Sequence, residues 1–149
     1  MWLVSKGRIQ CRANLHRKHI VDSPNCSVCG AAEETPDHIM FHYAVAEQFW
    51  SSLGLEIGAG TSTSRLHCIP KIGNLPDAQY NTFIILCFWQ LWKRRNGFVF
   101  RNENLNLRQL FLSCKNEATQ WRARMTRKDK KVIDDWCRLF DQSMSSILA

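Results

Sequence analysis

Two thiols and two imidazoles fall within one short stretch of this chain, in the order Cys26, Cys29, His38, His42, and no other feature constrains the fold as much. Cys26 and Cys29 are separated by two residues, the spacing at which a tight turn aims both sulfurs at one point. Gly30 follows and can take the positive φ that such a knuckle needs. Eight residues beyond Cys29, His38 and His42 stand four apart, so on a helix both rings project from one face about one turn apart. Two thiolates and two imidazoles make a closed tetrahedral donor set, which suits one zinc ion. With no position open to water or substrate, that zinc is expected to be structural rather than catalytic. A redox Cys-x-x-Cys is the competing reading, but no strand-loop-helix pattern of a thioredoxin surrounds the pair. The gap before His38 is shorter than the roughly twelve residues of DNA-reading fingers, so base-by-base reading of a major groove is not expected.

A helix is predicted to begin with Thr35 as N-cap, Pro36 at the first helical position and Asp37 near the positive end of the dipole, and to stop before Gly54. Along it Ile39, Tyr43, Ala46, Phe49, Trp50 and Leu53 recur at helical spacing. Upstream, Trp2, Leu3, Val4, Ile9, Ala13 and Leu15 alternate with Lys6, Arg8, Arg12, Arg17 and Lys18, which predicts two short helices broken near Gly7. Gly58 to Ser64 and two prolines mark residues 55–77 as a linker or long loop. Ala78 to Asn96 is apolar on more than one face and reads as a central helix, with Asn96-Gly97 as its stop. A further helix is predicted from Leu107 to Met125. Thr126 to Asp129 resembles a capping box, opening a last helix with Val132, Ile133, Trp136, Leu139, Phe140 and Met144 inward. The expected fold is therefore mainly α. A zinc knuckle and its helix pack with a helical N-terminal segment over residues 1–54, a loop spans 55–77, and about three amphipathic helices fill 78–149.

A hydrophobic fraction of 45% with 11% aromatics is enough for a real core in 149 residues. The seven cysteines are odd in number and no signal peptide is read ahead of them, which implies a reducing compartment, nucleus or cytoplasm. Cys11, Cys68, Cys87, Cys114 and Cys137 are expected as small buried hydrophobes, and His67 beside Cys68 lacks companions for a second ligand set. The most apolar run, Phe83 to Trp92, is interrupted by Gln90 and followed by Lys93, well short of the ~20 residues that span a bilayer. No membrane and no small-molecule substrate are expected as partners.

Lys and Arg number 20 against 13 Asp and Glu, a formal charge of +7, which favours a polyanion such as RNA or DNA. The leading contact surface is Lys6, Arg8, Arg12, His16, Arg17, Lys18 and His19, where no acidic residue precedes Asp22. A second is Lys93, Arg94 and Arg95 with Arg101. A third, from Arg122 to Lys131, is diluted by Asp129 and reads as a solvated helix face. At their helical spacings the six tryptophans are expected to pack in the core, and stacking on single-stranded bases, by Trp89 or Trp92 beside Lys93, is the lesser reading.

The pattern Trp2-Leu3, Gly7-Arg8-Ile9, Arg12-Ala13-Asn14-Leu15, Cys26-x-x-Cys29-Gly30, Glu33-Glu34, Asp37-His38 and Trp50 resembles the zinc-binding domain at the C-terminal end of reverse transcriptases from plant non-LTR (LINE-type) retrotransposons. Such domains commonly end their ligand set with His-x-x-x-Cys; here the last position is His42, which is also zinc-competent. Phe88 to Asn96 with Val99-Phe100 is similar to the Trp-rich, Arg-Asn segment that follows the zinc module in these polyproteins. The resemblance implies an auxiliary nucleic-acid contact that holds template RNA or target DNA near a polymerase. No Tyr-x-Asp-Asp turn and no spaced carboxylate set for nuclease chemistry are present, and Asp134-Asp135 is expected to face solvent, so catalysis is not expected. Two other readings stay open at this level: a zinc-stabilised protein interaction module, and a relic of a truncated retroelement.

Overall fold

Helical periodicity in the sequence becomes six α-helices in the computed structural model, which describes residues 2–73, 75–104 and 106–148, without the side chains of Trp2, Ser5 and Leu148. The expected place of Trp2 in the apolar stripe lies outside the described residues. The helices are α1 (Trp2–Ser5), α2 (Arg12–Arg17), α3 (Ala44–Ser52), α4 (Tyr80–Arg101), α5 (Leu107–Arg122) and α6 (Arg127–Leu148). A wide π-type turn, His38–His42, precedes α3, and a 3-10 turn, Leu66–Cys68, lies in the long loop. Among the described residues there is no strand, only an isolated antiparallel bridge between Asn25 and Glu33.

The break between α1 and α2 falls near Gly7, as the sequence predicts. There the Asn14 side chain donates to the carbonyls of Gly7 (2.7 Å) and Ile9 (2.8 Å), the second of which also accepts from the Cys11 amide. At the other end of the chain, Asn106 caps α5 by accepting from the Gln109 amide at 3.0 Å. Thr126 opens α6: its Oγ1 donates to Asp129 at 2.9 Å and accepts from the Asp129 amide at 3.4 Å. The short connection makes α5 and α6 an antiparallel hairpin, tied on its outer side by Lys115–Asp141 and Arg122–Asp134.

Two expected boundaries are corrected. The helix foreseen from Thr35 to Gly54 is interrupted at Tyr43, whose backbone is extended (φ −81, ψ 157). The reason is packing: His38, Ile39, Met40 and Phe41 are all buried, and a regular helix facing a core on one side cannot bury four residues in succession. The wide turn does so, and α3 restarts with its own stripe of Val45, Ala46, Phe49 and Trp50. The second correction concerns α4, which continues through Asn96-Gly97 and ends only at Asn102, in the left-handed conformation (φ 54). Gly97 is buried within the helix, where a Cβ would run into the Glu103 carboxylate.

One apolar core extends from Val4 to Phe140. Phe88 of α4 meets Phe41 edge-on at 5.5 Å between ring centroids and Trp50 at 6.1 Å. Phe49 of α3 stacks on Phe111 of α5 at 4.8 Å, and Phe83 packs on Trp136 and Phe140 of α6 at 5.5 and 5.6 Å. The knuckle region and the C-terminal helices thus share their interior. The loop over 55–77 is itself packed, with Leu55, Ile69, Ile72 and Leu75 buried. It is pinned by Asp37, which accepts from the Thr63 amide and hydroxyl, both at 2.8 Å, and by the Tyr80 hydroxyl, which donates to the Pro70 carbonyl at 2.8 Å. Cys11, Cys87 and Cys114 are buried as expected and Cys137 is half-buried; Cys68 is not, because only Leu66 of its 3-10 turn packs on the core. No helix among the described residues is long and apolar enough to cross a membrane.

Candidate metal centre

The knuckle is a narrow backbone loop. The Cys26 amide donates to the Ala32 carbonyl (2.7 Å), the Glu34 amide to Pro24 (2.8 Å) and the Gly30 amide to Cys26 (2.8 Å). Gly30 takes the positive φ (72) that closes the turn. Thr35 then caps the following turn, its Oγ1 accepting from the His38 amide at 3.1 Å, as its N-cap assignment requires. The wide turn closes with the Tyr43 amide donating to the His38 carbonyl at 2.9 Å.

These elements bring Cys26, Cys29 and His38 together, with their ligand atoms all within 4.8 Å of one another. Cys29 Sγ lies 3.6 Å from His38 Nε2. A tetrahedral zinc with ordinary Zn–S and Zn–N bonds separates a sulfur and a nitrogen ligand by about 3.6 Å, so the pair already stands at ligand spacing. The donor chemistry fits as well. Amides of Ala32 and Ala31 hold the exposed Cys29 thiol below its ordinary pKa, favouring the thiolate that binds metal. Burial pushes the Cys26 thiol up, and burial pushes the His38 imidazole down toward its neutral, ligating form.

His42 stands outside this group. It is exposed, beside Phe41, and lines a surface groove with Glu47, Leu55 and Ile57. The structure therefore assembles three of the four residues expected as ligands.

The cluster adjoins a buried ion pair that sequence reasoning did not find. Glu34 is 0% exposed and Arg95, from α4, 2%. Glu34 accepts from Arg95 Nη2 and Nε and, at 2.9 Å, from the backbone amide of Arg12 at the start of α2. Arg95 also donates to Asn96 (3.0 Å) and lies over the Trp92 ring, 5.2 Å from its centroid. One carboxylate thus joins the knuckle, α2 and α4. No charge imbalance in the sequence marks Glu34, since residues 1–50 hold five Lys and Arg against five Asp and Glu.

Of the residues expected to meet nucleic acid, Lys6, Arg8, Arg17, Lys18 and Lys93 are exposed. Arg12 is half-buried, and its Nε is buried without a partner. Arg94 is half-buried and donates to Ser113 at 3.2 Å. Arg95 must be removed from the set, because its guanidinium is enclosed and engaged by Glu34.

The family model described as zinc-binding in reverse transcriptase matches residues 1–50. That span holds the Cys26, Cys29 and His38 cluster and Glu34, and it stops before α4. No curated protein and no solved structure matches the chain.

Proposed function

With residues 1–50 carrying a reverse-transcriptase zinc-binding domain, we propose that this protein is a non-catalytic, nucleic-acid-binding auxiliary module of retroelement descent, built on one structural zinc. Cys26, Cys29 and His38 hold the ion, and His42 supplies the fourth ligand by turning its exposed ring toward the cluster. Bound zinc would act as a cross-link, fixing the knuckle to the wide turn and neutralising two thiolates.

One observation carries the binding reading: four of the five Lys and Arg of the first twenty residues, Lys6, Arg8, Arg17 and Lys18, are exposed and uncompensated. Among the described residues, these four form no ion pair; in the α5–α6 hairpin Lys115, Arg122 and Arg138 are each paired with an Asp, while Arg127, Lys128, Lys130 and Lys131 stay unpaired around Asp129. Unpaired Lys and Arg give sequence-independent affinity for phosphates. The engagement of Asp134 by Arg122 and of Asp135 by Arg138 supports a role without catalysis.

The test is titration with RNA and DNA oligonucleotides at rising salt. The affinity is expected to fall linearly on logarithmic axes, with a slope of about 0.7 to 0.9 per phosphate contacted. Reversing Arg8, Arg17 and Lys18 to Glu should flatten that slope; salt-insensitive binding, or none, would overturn the reading. For the ligand set, His42→Ala should weaken zinc binding without abolishing it. An unchanged zinc affinity would assign the fourth position to another donor.

A further inference from the structure

Beyond the matched span, one edge of α4 combines two features that ordinary solvated helices lack. Residues of an α-helix advance by about 100° each, so Trp89, Lys93 and Phe100 line one edge within roughly 40° of arc. Phe100 is 70% exposed, more than any other large hydrophobic side chain among the described residues, and Trp89 is 39% exposed. Lys93 Nζ lies over the Trp89 ring, 5.6 Å from its centroid, and the buried Arg95 backs Phe100 at 5.9 Å.

The neighbouring sector of the same helix opens a pocket of about 120 Å³, where Lys93, Arg94 and Arg101 converge with Ser113 and a single carboxylate, Glu103. Glu103 occupies the mouth by pairing with Arg101 at 2.7 Å, and both are substantially exposed. Gly97 leaves room for that carboxylate: a Cβ there would strike it and lie 3.1 Å from Arg101 Nη2. The volume suits one phosphate group, and three cations against one carboxylate suit its charge.

Exposed aromatic faces beside a phosphate-sized basic pocket select among polyanions. A duplex hides its base faces within its own stack, whereas a single strand offers bases for the rings and phosphates for the cations. We propose that this edge of α4 holds single-stranded nucleic acid, with bases on Trp89 and Phe100 and one phosphate in the pocket, displacing Glu103 from Arg101. The two rings are about 16 Å apart along the helix axis, so the occupant is a short run of nucleotides. The inference rests on the nucleic-acid reading above and adds to it the strandedness of the partner and a second contact surface.

The experiment compares zinc-loaded, full-chain protein binding a labelled oligothymidine single strand and a blunt duplex of equal length, with helicity and metal content verified for every variant. Trp89→Ala and Phe100→Ala should each weaken single-strand binding about tenfold and change duplex binding by less than about twofold. Trp89→Phe should restore most of the loss, because it keeps a stacking face, and Glu103→Gln should tighten single-strand binding by freeing the pocket. Equal losses for both strand forms, or no loss for either, would overturn the inference. If the alanine variants bind as before while charge reversal at Arg8, Arg17 and Lys18 abolishes binding, the inference fails and the nucleic-acid reading stands. If the unmodified protein binds neither form, both fail. A concentration-dependent dimer abolished by Phe100→Ala, with single-strand affinity intact, would give this edge to a second copy and likewise overturn the inference.

Discussion

Residues 24–42 bury His38, Ile39, Met40 and Phe41 in succession on a backbone of bridges and turns, whereas α5 and α6 bury Leu110, Phe111, Cys114 and Ala118 and then Val132, Ile133, Trp136 and Phe140 along 16 and 22 residues of regular helix. The hairpin is specified by period alone, since each buried residue calls for the next one turn later. The knuckle has no period to follow, so its geometry must be fixed point by point through polar cross-links. Cys26, Cys29 and His38 converge, Glu34 gathers three donors, and Asp37 pins the following loop. Irregular backbone thus depends on a few strong contacts, and regular backbone on many weak ones.

Removing the zinc proposed above should have the largest effect, because zinc binding to small structural sites is worth about 10–16 kcal/mol and is coupled to folding. Chelation, or Cys26→Ser with Cys29→Ser, is expected to abolish hydrogen-exchange protection over residues 1–54 while α5 and α6 stay protected. Simultaneous loss over α5 and α6 would break the contrast and make the shared core one cooperative unit. Next in size, Arg95→Leu should cost about 3–5 kcal/mol by leaving Glu34 charged and enclosed, and the Glu34→Leu, Arg95→Leu double variant should cost less than the single one in denaturant titration. In the hairpin, Phe140→Ala should cost a similar amount, about 3–5 kcal/mol, through cavity formation, with no second change that rescues it. The two tyrosines sharpen the contrast further. Tyr80→Phe should lose about 1 kcal/mol, since its hydroxyl donates to Pro70 and accepts from the Ile72 amide, whereas Tyr43→Phe should lose nothing because its buried hydroxyl has no partner among the described residues. Smallest of all, Arg122→Ala should shift stability by less than about 1 kcal/mol, because its pair with Asp134 is solvent-exposed.

Much of this was legible in the sequence where local rules decide. The caps at Thr35 and Thr126, the two short N-terminal helices, the hairpin stripes and the Cys26, Cys29, His38 grouping all follow from spacing and side-chain chemistry within a few residues. What local rules do not reach is whatever the tertiary core imposes. Three successive apolar residues, Ile39 to Phe41, hint at a departure from helical period, but Tyr43 breaks the helix only because α4 lies against that turn. Asn96-Gly97 has the composition of a helix stop, yet α4 ignores it, because no left-handed turn is needed until Asn102. Arg95 reads as one member of a basic run, and only a carboxylate 61 positions away in sequence turns it inward.

That same long reach has a consequence for how the protein is made. Glu34 leaves the ribosome well before Arg95, and Ile39 to Phe41 emerge well before Phe88 arrives to cover them. During that interval the nascent N-terminal segment can close its thiols and imidazole around a metal but cannot yet hide its apolar side. On the zinc reading proposed above, synthesis would then pass through a stage at which the metal-bound segment still exposes its apolar side. A chain cut after residue 54 would be arrested there, so a fragment bounded by the recognisable sequence signature should precipitate or recruit chaperones where the full chain does not.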